Sequence, residues 1–372
     1  MDARSVGSDD GFRQAPSEEF PKKIQTMRSA LRSRTGIAQQ SCYRRQGMLR
    51  VENGRFRNLH PHPPHGFLDL FRWKLRLGSK ERSTIDRTVV PAYCPDAMRV
   101  DRGRLDRPSR KHIQVTWIGH STFLIQVAGI NFLTDPVFGR WCVPFPSFGL
   151  RRRVPLPARL EHLLPVHGVL LSHNHYDHLE LKTVRKLDRE ATWLVPLGNG
   201  EWFRQRNQDN FVELDWWHET ELGPISIVCV PAQHFSGRTL FDRNLTLWAG
   251  FVLRTPLGNI YVAGDSGYAP LFADIGNHLG PMQLSIIPIG AYAPRWFMAP
   301  MHMSPEEAVR VHLDVRSRFS IGAHWGTFKL TDEPLAEPPI ALRHALARRH
   351  VPATSFRTMQ IGETLLVAGN EE

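Results

Sequence analysis

The segment Ser172-His173-Asn174-His175-Tyr176-Asp177-His178 places three histidines and one aspartate within six residues. Imidazole and carboxylate are borderline-hard donors that suit zinc and other divalent transition ions. The apolar run at 169–171 reads as a buried strand, which fixes where the loop begins. Four donors this close along the chain do not readily bind one ion. Their spacing gives His173 and His175 to one metal, and Asp177 and His178 to a second beside it.

Such a pair needs ligands from other loops. Three further donors each follow an apolar, strand-like run: His234 after 225–233, Asp265 after 259–264 and His324 after 319–323. Any one of them alone is more often a satisfied structural residue. Together they complete a facial set for each ion: His173, His175 and His234 for the first, Asp177, His178 and His324 for the second, and Asp265 between them. Open coordination positions remain, as catalysis requires. Asp177 and Asp265 are the carboxylates read as catalytic, Asp265 as the bridge that positions the attacking water.

The chain resembles the metallo-β-lactamase superfamily, and within it the N-acylphosphatidylethanolamine-hydrolysing phospholipase D-like group. The metal loop, with the later His, Asp and His, identifies the superfamily. The narrower group is carried by Thr116-Trp117-Ile118-Gly119-His120-Ser121-Thr122, Leu133-Thr134-Asp135-Pro136-Val137-Phe138, Gly264-Asp265-Ser266-Gly267-Tyr268, residues 288–298 and His324-Trp325-Gly326-Thr327-Phe328. The similarity runs from about residue 51 to the C-terminus.

The resemblance implies an α/β fold, a four-layer αβ/βα sandwich. It also implies a zinc-dependent phosphodiesterase that hydrolyses N-acylphosphatidylethanolamine to N-acylethanolamine and phosphatidic acid. Two Zn2+ per chain are the implied cofactors; other divalent transition metals suit the same donors. The nucleophile would be a hydroxide held by both metals and attacking phosphorus in line. Asp135 and His120 are read as residues that hydrogen-bond the metal loop from behind. Tyr292, Arg295, Trp296 and His302 lie on a segment read as a substrate loop, apolar for acyl chains and with one cation for phosphate; for Trp296, ordinary core packing is the equal alternative. His302 matches a substrate-contacting position of the family. Its neighbour Met301 departs from the polar amide found there in relatives, which bears on the head group. Two other readings stand: a metal-dependent hydrolase of a soluble lactone or small phosphodiester, and a non-catalytic lipid-binding protein on the same fold.

The 372 residues carry a formal net charge of +11, which favours an anionic partner. A phospholipid substrate with peripheral membrane contact is expected, and nucleic acid is not. The resemblance also implies a homodimer as one quaternary state. Residues 67–77 are amphipathic and basic, either lying on a membrane interface or packing on the core. Phe67, Leu70 and Phe71 favour a helical turn there, and the alternation at 72–77 favours a strand. Arg151-Arg152-Arg153 is either a lipid-phosphate contact or a surface loop. No apolar run reaches membrane-spanning length and no secretory segment opens the chain, so the expected location is cytoplasmic or peripheral on the membrane. Four scattered cysteines give no disulfide framework. The expected organisation is a loosely packed or disordered segment at 1–50, an extension at 51–111 packing on the main domain, and a hydrolase domain at 112–372. Strands are expected at 114–118, 123–127, 131–133, 169–171, 193–195, 284–289 and 319–323. Helices are expected at 180–189, 305–314 with Ser304 as cap, and 339–350.

Overall fold

The computed structural model describes residues 51–62, 67–75, 97–143, 150–163, 165–187, 189 and 191–370. The expectation of disorder at 1–50 lies outside the described residues. Strands β1 (Val51–Glu52) and β2 (Arg55–Phe56) form a small hairpin. Its turn residues Asn53 and Gly54 have φ of 52° and 72°, the left-handed pair that a tight hairpin requires. Helix α1 (Phe67–Lys74) settles the ambiguous stretch: the strand-like alternation there is helical through Lys74, and residues 76–77 lie outside the described set. Helix α2 (Arg102–Asp106) is capped by Asp101. Gln114 and Gln126 hold it to the main domain by donating to the carbonyls of Arg104 and Leu105.

Strand alternation then builds two sheets. In β3 (His112–Gly119), β4 (Thr122–Val127) and β5 (Ile130–Thr134), Ile113, Val115, Trp117, Phe123, Ile125 and Phe132 join one core cluster, while Leu124 and Leu133 join another. Period-two side chains thus divide between the inner and outer face of the sheet. The next strands, β6 (Gly168–Leu170), β7 (Thr192–Pro196) and β8 (Phe211–Leu214), pair in parallel. Their inner Leu170 and Leu194 and outer Val169, Trp193 and Val195 are all buried, as parallel strands covered on both faces require. Helices α3 (Leu181–Lys186) and α4 (Gly200–Arg204) supply Val184 and Phe203 to the outer cluster.

The second sheet repeats the plan. Strands β9 (Glu219–Leu222), β10 (Ile225–Val230), β11 (Gly250–Thr255) and β12 (Gly258–Val262) are antiparallel neighbours. After helix α5 (Leu271–Leu279), β13 (Met282–Pro288) pairs parallel to β12. Helices α6 (Arg295–Met298) and α7 (Pro305–Asp314), strand β14 (Ser320–Ala323), helix α8 (Glu337–Arg348) and strand β15 (Phe356–Arg357) follow. Ser304 caps α7 in a reciprocal box with Glu307. Strand β16 (Thr364–Ala368) crosses back to pair with β3. Each sheet has seven strands, three antiparallel pairings followed by three parallel ones. Inner residues of both sheets share one core cluster with Phe272, Val309 and Leu342 of the second sheet's helices. This is an α/β sandwich. Among the described residues, no helix is long and apolar enough to cross a membrane.

Candidate metal centre

Strands β3, β5 and β6 run in one direction, as do β10, β12, β13 and β14. The chain therefore leaves all of them at one edge of its sheet, and there the expected donors gather. The loop 171–178 leaves β6, His234 follows β10, Asp265 follows β12 and His324 follows β14. Gly264 lets two of these loops meet: its φ is 64°, and a Cβ there would lie 2.6 Å from the Ser172 side chain and 2.9 Å from the Ala249 carbonyl. Gly290, after β13, passes equally close to His324; a Cβ would sit 2.1 Å from the His324 carbonyl oxygen. His324 itself takes φ of 60°, uncommon outside glycine, and its N–H donates to the His120 carbonyl at 3.1 Å.

The seven expected donors are adjacent in space. His173 Nε2 and His175 Nδ1 are 2.8 Å apart, and His234 Nε2 lies 3.4 Å from the same Nδ1. His178 Nε2 and His324 Nε2 each lie 3.1 Å from Asp265 Oδ2 and 3.6 Å from Asp177 Oδ2. Asp265 Oδ2 also stands 4.0 Å from His173 Nε2 and 3.9 Å from His234 Nε2, between the two groups.

Supporting contacts set the tautomers. His234 Nδ1 donates to the Met301 carbonyl at 2.7 Å, leaving Nε2 as a lone pair. His178 Nδ1 faces Asp135 Oδ2 at 2.8 Å, and Asp135 also accepts from the backbone N–H and hydroxyl of Ser172, both at 2.7 Å. His120 Nε2 lies 3.0 Å from Asp177 Oδ2. A third residue behind the loop, Arg238, was not suggested by sequence. Its guanidinium donates to the carbonyls of Asn174 and Leu179 and stacks 3.9 Å from the centre of the Tyr176 ring. Only its place four residues past His234 hinted at a local role.

The electrostatics fit cations. Burial holds His173 well below the usual imidazole range, His175 down to about 3 and His234 down to about 4, so these rings are neutral. Burial also opposes charge on His178 and His324, but the neighbouring carboxylates outweigh it, lifting His178 well above its ordinary range and His324 to about 9. Burial likewise opposes ionisation of Asp177 and Asp265; His178 and its neighbours reverse that and hold both carboxyls well below theirs. The buried atoms His178 Nε2, His324 Nε2 and Asp265 Oδ1 have no hydrogen-bond partner although ionic groups surround them. Close approach without hydrogen-bond geometry is what lone pairs aimed at shared cations produce. The donor set fits divalent metal.

The segment at 292–302 is placed beside this cluster. His302 Nδ1 is 3.9 Å from Asp265 Oδ2, and its ring is 13 % exposed. Arg295 and Tyr292, expected on a substrate loop, each have partners within the protein. The Arg295 guanidinium pairs with Glu307 at 2.7 Å and donates to the His302 carbonyl at 2.8 Å, so it braces the loop. The Tyr292 hydroxyl donates to Glu337 at 2.6 Å. Trp296 is half-buried, with Arg72 of α1 over its ring at 5.8 Å. Trp73 of α1 stacks on Phe297 at 5.0 Å. Arg152 also turns inward, donating to the carbonyls of Gly139 and Val137. Arg152 is half-buried and braces this loop, while Arg151 and Arg153 on either side of it are exposed.

Residues 130–325 match the Beta-lactamase superfamily domain. The chain belongs to the metallo-β-lactamase superfamily. It falls in the phospholipase D-like group of that superfamily. It is 38% identical to the N-acyl-phosphatidylethanolamine-hydrolyzing phospholipase D 1 of Caenorhabditis elegans, over 80% of this chain and 87% of that one. It is 40% identical to an uncharacterised protein of Mycobacterium tuberculosis, over 80% of both chains. Among solved structures, an isothiocyanate hydrolase from Delia radicum gut bacteria shares the fold, with a TM-score of 0.56 and 21% identity, covering 69% of this chain and all of that one (100%). The superfamily and the donor cluster together make this protein a metal-dependent hydrolase.

Proposed function

We propose that the protein is a phospholipase of the D type, releasing N-acylethanolamine and phosphatidic acid from N-acylphosphatidylethanolamine. The observation that carries this reading is the similarity to the C. elegans phospholipase over 87% of its length, supported by the clustering of the seven expected donors. His173, His175 and His234 would hold one ion, Asp177, His178 and His324 a second, with Asp265 shared; zinc suits both donor sets. Bound there, two such ions supply Lewis acidity toward a phosphoryl oxygen and make water acidic enough to ionise near neutrality.

The chain's own residues do the rest. Asp135 fixes the His178 ring through Nδ1, so Nε2 points at the shared carboxylates. His120 does the same for the Asp177 oxygen. Asp265 would orient an attacking water, a role supported by its Oδ2 lying within 4.0 Å of His173, His178, His234 and His324. His302, kept neutral chiefly by burial, lies at the rim where a non-bridging phosphoryl oxygen would sit. Arg295 holds the His302 carbonyl and so sets that ring's position. Water adds its hydroxyl to phosphorus, and the N-acylethanolamine oxygen leaves with the remaining proton.

Mass spectrometry of N-acylphosphatidylethanolamine micelles incubated with metal-loaded protein tests the reading. Paired appearance of N-acylethanolamine and phosphatidic acid is expected. Intact lipid, in the presence of a metal-replete protein, would sink the substrate assignment. A His302→Ala variant should keep its metal while raising KM or lowering kcat. Metal loss in that variant would make His302 a ligand, since it also groups with His234 and Asp265.

A further inference from the structure

The loop leaving the metal cluster at His234 ends in two adjacent apolar residues in water. Leu240 is 86% exposed and Phe241 is 82% exposed. Single exposed apolar side chains are ordinary, but a contiguous group is not. Here Leu245 and Leu197 are exposed as well, and the Leu247 N–H donates to the Leu197 carbonyl, tying the two segments together.

The loop is built to keep its tip out. The Asp242 carboxylate accepts from the Arg238 N–H at 2.9 Å and the Thr239 N–H at 2.7 Å. The Thr239 hydroxyl accepts from the Phe241 N–H at 3.2 Å. Arg55 of the hairpin donates to the carbonyls of Phe241 and Arg243. A slack loop would fold these side chains back onto the protein; a braced one cannot.

Charge names the partner. Arg55 and Arg243 are both exposed beside the tip, and the nearby Asp242 carboxylate is already engaged with backbone amides. The Arg243 guanidinium lies 4.5 Å from the centre of the Phe235 ring, and that ring is 4.5 Å from the His175 ring. One aromatic layer thus separates a surface cation from the donor cluster. Apolar side chains beyond a cationic collar match a lipid surface: the chains enter the acyl region and the arginines meet phosphates.

We infer that residues 238–245 form a membrane anchor, with Leu240 and Phe241 entering an anionic phospholipid surface while Arg243 and Arg55 contact its phosphates. The inference rests on the phospholipid reading of the same site. It brings Arg243, and through the Phe235 ring the His175 side of the metal cluster, close to the lipid phosphates.

The test is co-sedimentation of the full chain with vesicles of phosphatidylcholine alone, and of phosphatidylcholine with phosphatidylglycerol at three to one. Wild type should partition onto the mixed vesicles and far less onto the neutral ones. Leu240→Ser/Phe241→Ser should lose at least about ten-fold in partitioning. Its melting curve, metal content and turnover of soluble bis(p-nitrophenyl) phosphate should be unchanged. Arg243→Glu should lose binding to the mixed vesicles only. Undiminished partitioning of the double variant overturns the inference, and so does equal binding of wild type to neutral vesicles. Loss of a wild-type dimer in the double variant without any vesicle binding would make the tip a self-association surface and also overturn it. The micelle assay reads the phospholipase assignment separately: products there, without vesicle binding, refute only the anchor.

Discussion

The two halves of the sandwich share a strand plan but deliver donors differently. In the first half, β6 is followed by one loop that brings His173, His175, Asp177 and His178 together. In the second, His234, Asp265 and His324 arrive singly after β10, β12 and β14. Corresponding strands sharpen the contrast. β3 and β10 are followed by His120 and His234, and β5 and β12 by Asp135 and Asp265. In the second half the His and Asp face the cluster directly. In the first half their counterparts stand one layer back: Asp135 holds His178 and Ser172, and His120 holds Asp177. On the proposed assignment, the same strand ends serve as support where a dense loop already fills the site, and as donors where none does.

The aspartate pair gives the largest expected effect. Asp265→Asn should abolish turnover, by more than the roughly ten- to hundred-fold typical of groups that support a ligand. The fold should persist, because no strand pairing depends on this side chain. Asp135→Asn should fall inside that ten- to hundred-fold range, chiefly as weaker metal affinity. Measured kcat/KM and metal titrations for both variants check this. Equal losses would break the distinction between support and donor, and unchanged turnover in Asp265→Asn would remove the bridging assignment.

The histidine pair comes next. His234→Ala should lose one metal per chain, read by elemental analysis after dialysis. His120→Ala should retain its metal content with turnover lowered about ten- to hundred-fold, because Asp177 loses the partner that orients it. Metal loss in His120→Ala as complete as in His234→Ala would make His120 a donor; it does sit in one ligand-competent group with Asp177, His178 and His324.

This contrast also explains what could be read from sequence. The first-half loop is a local pattern, visible from spacing alone. The second-half donors are isolated residues, and only the expectation that each follows a strand linked them to the loop and completed the set. Element boundaries were legible where periodicity was strong, as in α7, where Ser304 caps the helix as the sequence suggests. Residues 67–77 carried both helical and strand-like spacing. Trp73, packed on Phe297 and hydrogen-bonded to Asp332, is the tertiary contact that accompanies the helical outcome. The partners of Arg295 and Tyr292, Glu307 and Glu337, were not legible, because they come from helices whose approach no local pattern encodes. The brace by Arg238 was hidden because its hydrogen-bond partners are main-chain carbonyls at the metal loop, which leave no side-chain signal.

The smallest expected effect concerns stability and again separates the halves. The first sheet's outer-face polar pair is Gln114 and Gln126, which cannot titrate, joined by a 2.7 Å hydrogen bond. The second half has His312 of α7, buried with Nδ1 2.8 Å from the Ser320 hydroxyl on β14, the strand that leads to His324. Burial pushes His312 down to about 4 from an ordinary 6.5. The unfolded chain therefore takes up this proton first as pH falls. The stabilising contribution is complete above about pH 6.5 and is lost as the pH falls toward about 4. At about 1.4 kcal/mol per pKa unit, the loss is on the order of 3 kcal/mol at most. Urea midpoints of metal-free wild type and His312→Gln, compared from pH 7 to 4.5, isolate it from the cluster histidines common to both. The variant should start less stable and converge on wild type in acid. Parallel curves would show that this layer is no more acid-sensitive than its glutamine-paired counterpart.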